Sequence, residues 1–225
     1  LRTGVGLASV ATRSAGVAAL VAARPEAMTH AVEDAQALAG LLERASVLAV
    51  GPGLGQGDWG RELLADSLAT GKPVVLDADA LNILASAPAR VPQAVLTPHP
   101  GEAGRLLGCT TAEVQADRFG AAAALVGRYQ AVVVLKGAGS VVAGPDRVPV
   151  VIGAGNPGMA TGGMGDVLSG VIASLLAQGL PAFEAGVAGA LLHATAGDAA
   201  ARVDGERGLL PSDLFPHLRR LANPA

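Results

Sequence analysis

Short, nearly continuous aliphatic runs alternate along this chain with longer stretches that repeat their apolar positions every three to four residues. The runs at Leu7–Thr12, Val47–Val50, Pro73–Leu76, Ala94–Thr97 and Ala131–Leu135 lack in–out alternation, as expected of strands covered on both faces. Helical spacing predicts helices over Ala15–Ala23, Trp59–Thr70 and Ala80–Ser86, with further starts at Gly101 and Thr110. The second of these carries the capping-box pair Thr110 and Glu113, and its apolar face continues to Val126. Ser140–Ala143 and Val148–Ile152, separated by a Gly-Pro-Asp-Arg turn, predict a β-hairpin. Helices follow over about Asp166–Gln178, Phe183–Ala201 and Ser212–Leu221. The βα alternation predicts one α/β domain over residues 1–225, with a mostly parallel sheet between two helical layers.

Composition sharpens this picture. Hydrophobic residues make up 51% of the 225, but aromatic residues only 2%, so the core must close through small aliphatic side chains. The formal charge is −3 and no basic run occurs, which removes the electrostatic footprint of a nucleic-acid binder while leaving room for a nucleotide held by backbone amides. The most apolar region, Val167–Gly197, is interrupted by Pro181 and Glu184. Neither half reaches the ~20 residues of a membrane span. A single cysteine, Cys109, excludes an internal disulfide, fits a reducing cytoplasm and reads as a packing residue. The chain starts without Met, inside a structured-looking LRTG segment, and we expect a preceding piece.

The chemistry gathers where strands end, which is where open parallel sheets bind ligands. GPGLG ends one predicted strand, DADALN the next, TPHPGE the third and KGAGS the fourth. ATGGMGD, residues 160–166, runs directly into a helix. Glycines there let backbone amides face a phosphate, and the first helical turn adds unpaired N–H groups and partial positive charge. Asp166 then sits where a carboxylate needs a task; a general base for an attacking hydroxyl is one, a plain helix cap the other. Lys136 either reaches a phosphate or decorates a hairpin. His99, held between prolines, either touches substrate or is structural. Glu102 either organises a magnesium–phosphate cluster or complements a helix dipole. Asp77 and Asp79 read as pocket lining in preference to a catalytic pair. His30, His193 and His217 lack partners at metal-ligand spacing.

GPGLGQ, DADALN, TPHPGEA, LKGAG and GNPGMATGGMGDVLSG, in this order, resemble the ADP-dependent NAD(P)H-hydrate dehydratases, the carbohydrate-kinase-like domain often fused behind an NAD(P)H-hydrate epimerase. The resemblance runs from Leu1 to the end. It implies a ribokinase-like three-layer α/β/α sandwich and ADP-dependent dehydration of the (S)-hydrate of NADH or NADPH, with AMP and phosphate as products. It further implies Mg2+, a homotetramer and a cytoplasmic enzyme. By the same resemblance, Lys136, Gly137, Ala138, Gly139, Ser140 and Gly165 hold the adenine nucleotide. Gly53, His99 and Asp166 contact the hydrated cofactor, and Asp166 is the base. The family usually has a further strand, a glycine-bearing loop and a helix before LRTG, so we expect an N-terminally truncated domain without its first strand and helix. Two other readings of the same motifs are a small-molecule kinase of this fold, of hydroxyethylthiazole or hydroxymethylpyrimidine type, and a nucleotide-binding module without catalysis.

Overall fold

The computed structural model describes residues 1–223. In chain order the elements are β1 (Ser9–Thr12), α1 (Ser14–Ala23), β2 (Met28–Ala31), α2 (Ala35–Arg44), β3 (Leu48–Val50), α3 (Asp58–Ala69), β4 (Val74–Leu76) and α4 (Ala78–Ser86). They continue with β5 (Ala94–Leu96), α5 (Pro100–Leu107), α6 (Thr111–Ala116), α7 (Arg118–Tyr129), β6 (Val132–Leu135), β7 (Ser140–Ala143) and β8 (Val150–Ile152). Then come α8 (Met164–Ala177), α9 (Ala182–Asp204) and α10 (Leu214–Leu221).

A six-stranded sheet runs in the order β3-β4-β5-β6-β7-β8. Its first four strands are parallel, and β7 and β8 complete it as the predicted antiparallel hairpin. Because β3 to β6 lie side by side in chain order, right-handed crossovers send their connecting helices to one face. Leu64 of α3, Leu81 of α4, Leu106 of α5 and Leu125 of α7 accordingly pack on Leu76, Leu96, Val133 and Leu135. The alternate residues Val75, Val95, Val134 and Val142 point the other way and meet Leu168 and Ile172 of α8 and Ala190 and Ala194 of α9. This gives the expected three layers, and the scarcity of rings is met by close approach. A Cβ on Gly189 of α9 would lie 2.6 Å from Ile172 Cγ1.

Two elements escaped the sequence reading. The segment at residues 24–46 contains β2 and α2, whose runs are short and mixed; β2 pairs parallel with β1 in a separate two-stranded sheet. The helix expected from Thr110 to Val126 is two helices. Asp117 closes α6, and its side chain accepts the Gly120 N–H (2.8 Å) to start α7. Of the two lysines, Lys72 is consumed by structure, donating to the Leu42, Glu43 and Ala45 carbonyls at the end of α2. Cys109 is partly buried against the core, as expected. No helix among the described residues is long and apolar enough to cross a membrane.

Candidate active site

The site lies at the carboxyl ends of β3 to β6, where the parallel strands stop and their loops meet the head of α8. Asp77 follows β4 and begins α4, its Oδ1 accepting the Ala78 N–H (2.9 Å). It is therefore a helix cap. Its side chain is 2% exposed and fully engaged: Lys136 Nζ donates to Oδ1 (2.8 Å) and Ser169 Oγ to Oδ2 (2.8 Å). Thr97, at the end of β5, lies 3.4 Å from Ser169 Oγ through its own hydroxyl. Strands β4, β5 and β6 thus lock onto α8 three residues beyond Asp166. Asp79 instead braces the loop after β3, accepting the Gly55 N–H (2.9 Å) and the Gln56 amide (3.3 Å).

Lys136 ends β6 and carries its ammonium under the first turn of α8. A Cβ built on Gly165 would lie 3.0 Å from Nζ and 3.4 Å from Asp77 Oδ2, so any side chain there would press the ammonium aside by a few tenths of an ångström. Gly163, at φ +86°, is the turn residue before the helix. Exposed backbone amides and a nearby ammonium make this end of α8 suited to an anion.

Asp166 lies in that first turn and is open to solvent. Partial desolvation and then the Asp77 carboxylate hold its pKa above the usual carboxylate value, against the opposing pull of Lys136. Such a group takes up a proton more readily than an ordinary aspartate. His193, on α9 beside Met164, is buried and pushed down to about 4 by desolvation, so it is neutral at pH 7.

His99 caps α5. Its Nδ1 accepts the Gly101 N–H (3.0 Å), and Glu102 accepts the His99 N–H in return (2.8 Å). The imidazole stays 51% exposed with Nε2 3.6 Å from Glu102 Oε2, while the Glu102 side chain is 6% exposed and 3.8 Å from Lys136 Nζ. Gly53 is exposed on the loop after β3, with no atom within 4 Å of a would-be Cβ. Gly137, Ala138 and Gly139 form the turn from β6 to β7, and Ser140 Oγ donates to the Gly137 carbonyl (3.2 Å). That turn is stapled by Arg118, which donates to the Ala138 (2.8 Å) and Leu135 (3.1 Å) carbonyls.

A family model described as NAD(P)H-hydrate dehydratase matches residues 1–220. The chain belongs to the NAD(P)H-hydrate dehydratase family. It is 52% identical to the bifunctional NAD(P)H-hydrate repair enzyme of Coxiella burnetii and 50% identical to that of Escherichia coli, over 99% and 100% of this chain. It spans 46% and 43% of those two proteins, a little under half their length. It is 47% identical to the ADP-dependent (S)-NAD(P)H-hydrate dehydratase of Neisseria meningitidis, over 91% of this chain and 71% of that protein. Among solved structures, the ADP/ATP-dependent NAD(P)H-hydrate dehydratase of Bacillus subtilis, co-crystallised with ATP and Mg2+ and soaked with CoA, superposes with a TM-score of 0.85 at 29% identity. That match covers 98% of this chain and 82% of the other. A hydroxyethylthiazole kinase from Pyrococcus horikoshii shares the fold alone, with a TM-score of 0.71 at 16% identity.

In this dehydratase-family chain, the residues read from the motifs gather as one set around Lys136: Asp77, Glu102, His99, Gly165 and, within reach of their charges, Asp166. Sequence reasoning gave no role to Thr97, Arg118 or Ser169, although Thr97 opens TPHPGE and Ser169 lies in GMGDVLSG, three residues after Asp166 and hence on a neighbouring face; Arg118 carried no signal. A cavity of about 240 Å³ between the end of α9 and α10 contains none of these residues.

Proposed function

We propose that this chain dehydrates the (S)-hydrate of NADH or NADPH, using ADP as phosphoryl donor and releasing AMP and phosphate. The observation that carries the reading is the meeting of three features at the head of α8: the Gly162, Gly163 and Gly165 N–H groups, which make no backbone hydrogen bond, the Lys136 ammonium 3.0 Å from the Gly165 Cβ position, and Asp166 with its raised pKa. Amides and ammonium fit the transferring phosphate. Asp166 fits the hydroxyl that attacks it.

In the reading's chemistry Asp166 accepts the proton of the C6 hydroxyl as its oxygen bonds to the β-phosphorus of ADP, and AMP departs. Hydroxide is a poor leaving group and phosphate a good one. The ring nitrogen's electron pair then expels phosphate from C6, and loss of a proton from C5 restores the dihydronicotinamide. Lys136 and the backbone of Gly137, Ala138, Gly139, Ser140 and Gly165 hold ADP, while Gly53 and His99 hold the hydrated ring beside Asp166. Mg2+ would be held chiefly by the diphosphate itself, since no group of three or more His, Cys, Asp or Glu side chains among the described residues could hold it, and would offset charge that Lys136 alone does not.

The reading treats residues 1–225 as one dehydratase domain. An epimerase partner, fused or separate, a homotetramer and a cytoplasmic location belong to the same reading. The names of the bifunctional relatives support the first of these.

The test is to supply ADP with hydrated NADH and follow the absorbance of regenerated NADH. A kinase would instead phosphorylate a vitamin precursor from ATP, and a binding module would hold nucleotide without turnover. Asp166→Asn should lower turnover by ~10³ while ADP binding persists. In the parent, activity should fall as pH drops through the raised Asp166 pKa, because the base must be unprotonated. Near-parental turnover in Asp166→Asn would remove it from the mechanism.

A further inference from the structure

The loop 153–163 joins β8 to α8 and delivers the amides on which the proposed phosphoryl transfer rests. Several of its hydrogen bonds are internal: Asn156 Oδ1 accepts the Gly158 N–H (3.1 Å), and the Met159 N–H reaches the Asn156 carbonyl (3.1 Å). Among the described residues, its hydrogen bonds to anything beyond itself and α8 go to one side chain. Asp198 of α9 accepts the Gly155 N–H on Oδ2 (2.9 Å) and the Asn156 amide on Oδ1 (3.0 Å). Its neighbour Gly197 is a steric socket, since a Cβ there would stand 2.4 Å from Met159 Sδ. α9 is 23 residues long and packed on the sheet, so it is a rigid base for a glycine-rich loop. No described cation pairs with Asp198, so both carboxylate oxygens serve the loop.

We infer that Asp198 is a positioning residue: through Gly155 and Asn156 it sets where the 153–163 loop places the head of α8 against the transferring phosphate. The inference rests on the proposed function for its catalytic consequence, but not for the hold on the loop.

The Asn156–Asp198 pair allows a reciprocal test. Asp198→Asn sets two amide donors against each other, and Asn156→Asp sets two carboxylates against each other. In the double variant, Asp at 156 accepts from the Gly158 N–H and from the new amide at 198, whose oxygen still accepts the Gly155 N–H. Every bond is restored with one direction reversed. Four full-length proteins (the parent, both single variants and the double) are compared for kcat and KM with ADP and hydrated NADH, and for deuterium uptake in residues 153–163. Each single variant should lose kcat by roughly 10- to 100-fold, as expected of a misplaced reacting group, with KM for hydrated NADH within about twofold. Uptake in the loop should rise, and unfolding reported by Trp59 should stay cooperative. The double variant should recover most of both losses. Parental kcat in an active protein, unchanged uptake in the single variants, or a double variant no better than the worse single overturns the inference. If the parent itself regenerates no NADH, the proposed function falls, and the deuterium comparison still decides whether Asp198 holds the loop.

Discussion

Lys136→Met tests the electrostatic frame under the site. The methionine matches the lysine stem in length and removes only the cation. Asp77 would remain 2% exposed, keeping the Ser169 hydroxyl and the Ala78 N–H but losing its counter-charge at 2.8 Å. Removing one partner of a buried ion pair costs about 3–5 kcal/mol, because the charge left behind stays desolvated. The two remaining hydrogen bonds, and the 19% exposure of Lys136, place this case near the lower end, at ~3 kcal/mol. With a urea slope of about 3 kcal/mol/M, the unfolding midpoint should drop by ~1 M. Trp59, the single tryptophan, reports the transition from α3, well away in sequence from the substitution. The Asp77→Asn/Lys136→Met double variant removes the nearer of the two carboxylates that lose their cation, Glu102 at 3.8 Å being the other, and should regain at least ~1 kcal/mol relative to Lys136→Met. A single-variant cost under ~0.5 kcal/mol, the range of an exposed pair, would refute the reasoning, as would a double variant less stable than the single.

Two further outcomes follow from buried groups, Tyr129 in the core and His193 beside Met164. Tyr129 is fully buried, and its hydroxyl donates to the Leu106 carbonyl (3.0 Å), so Tyr129→Phe should cost ~1 kcal/mol in thermal or urea unfolding. A gain in stability would show that the bond does not offset burial of the hydroxyl. His193 is pushed down to about 4 from 6.5, so between those values the unfolded chain binds a proton that the native state refuses. Stability should therefore fall on acidification from pH 6.5 to 4, and His193→Gln should flatten that slope. An imidazole titrating near 6.5 by NMR in the folded protein would contradict it.

Local chemistry was enough to read much of this protein from its sequence. Aliphatic runs marked β4 to β6 because a strand buried on both faces has no position for a polar residue, and Thr110 with Glu113 marked a helix start because the cap bonds lie three residues apart. The glycine-rich approach to Asp166 was legible because unobstructed amides at a helix head are a property of a few consecutive residues. The segment 24–46 was not legible: β2 has no inward run, and α2 is set by packing Leu38 and Leu42 against Val32 and Leu63. Tertiary structure alone decided which residues meet. Nothing local says that Lys136 stands under Gly165 or that Asp77 spends both oxygens on Lys136 and Ser169, which are 59 and 92 residues away. Nor does it say that Asp198 reaches back 43 residues to Gly155. Such pairings depend on how strands and helices are ordered in space, and hydrophobic periodicity along a chain specifies which face each element buries but not which neighbour covers it.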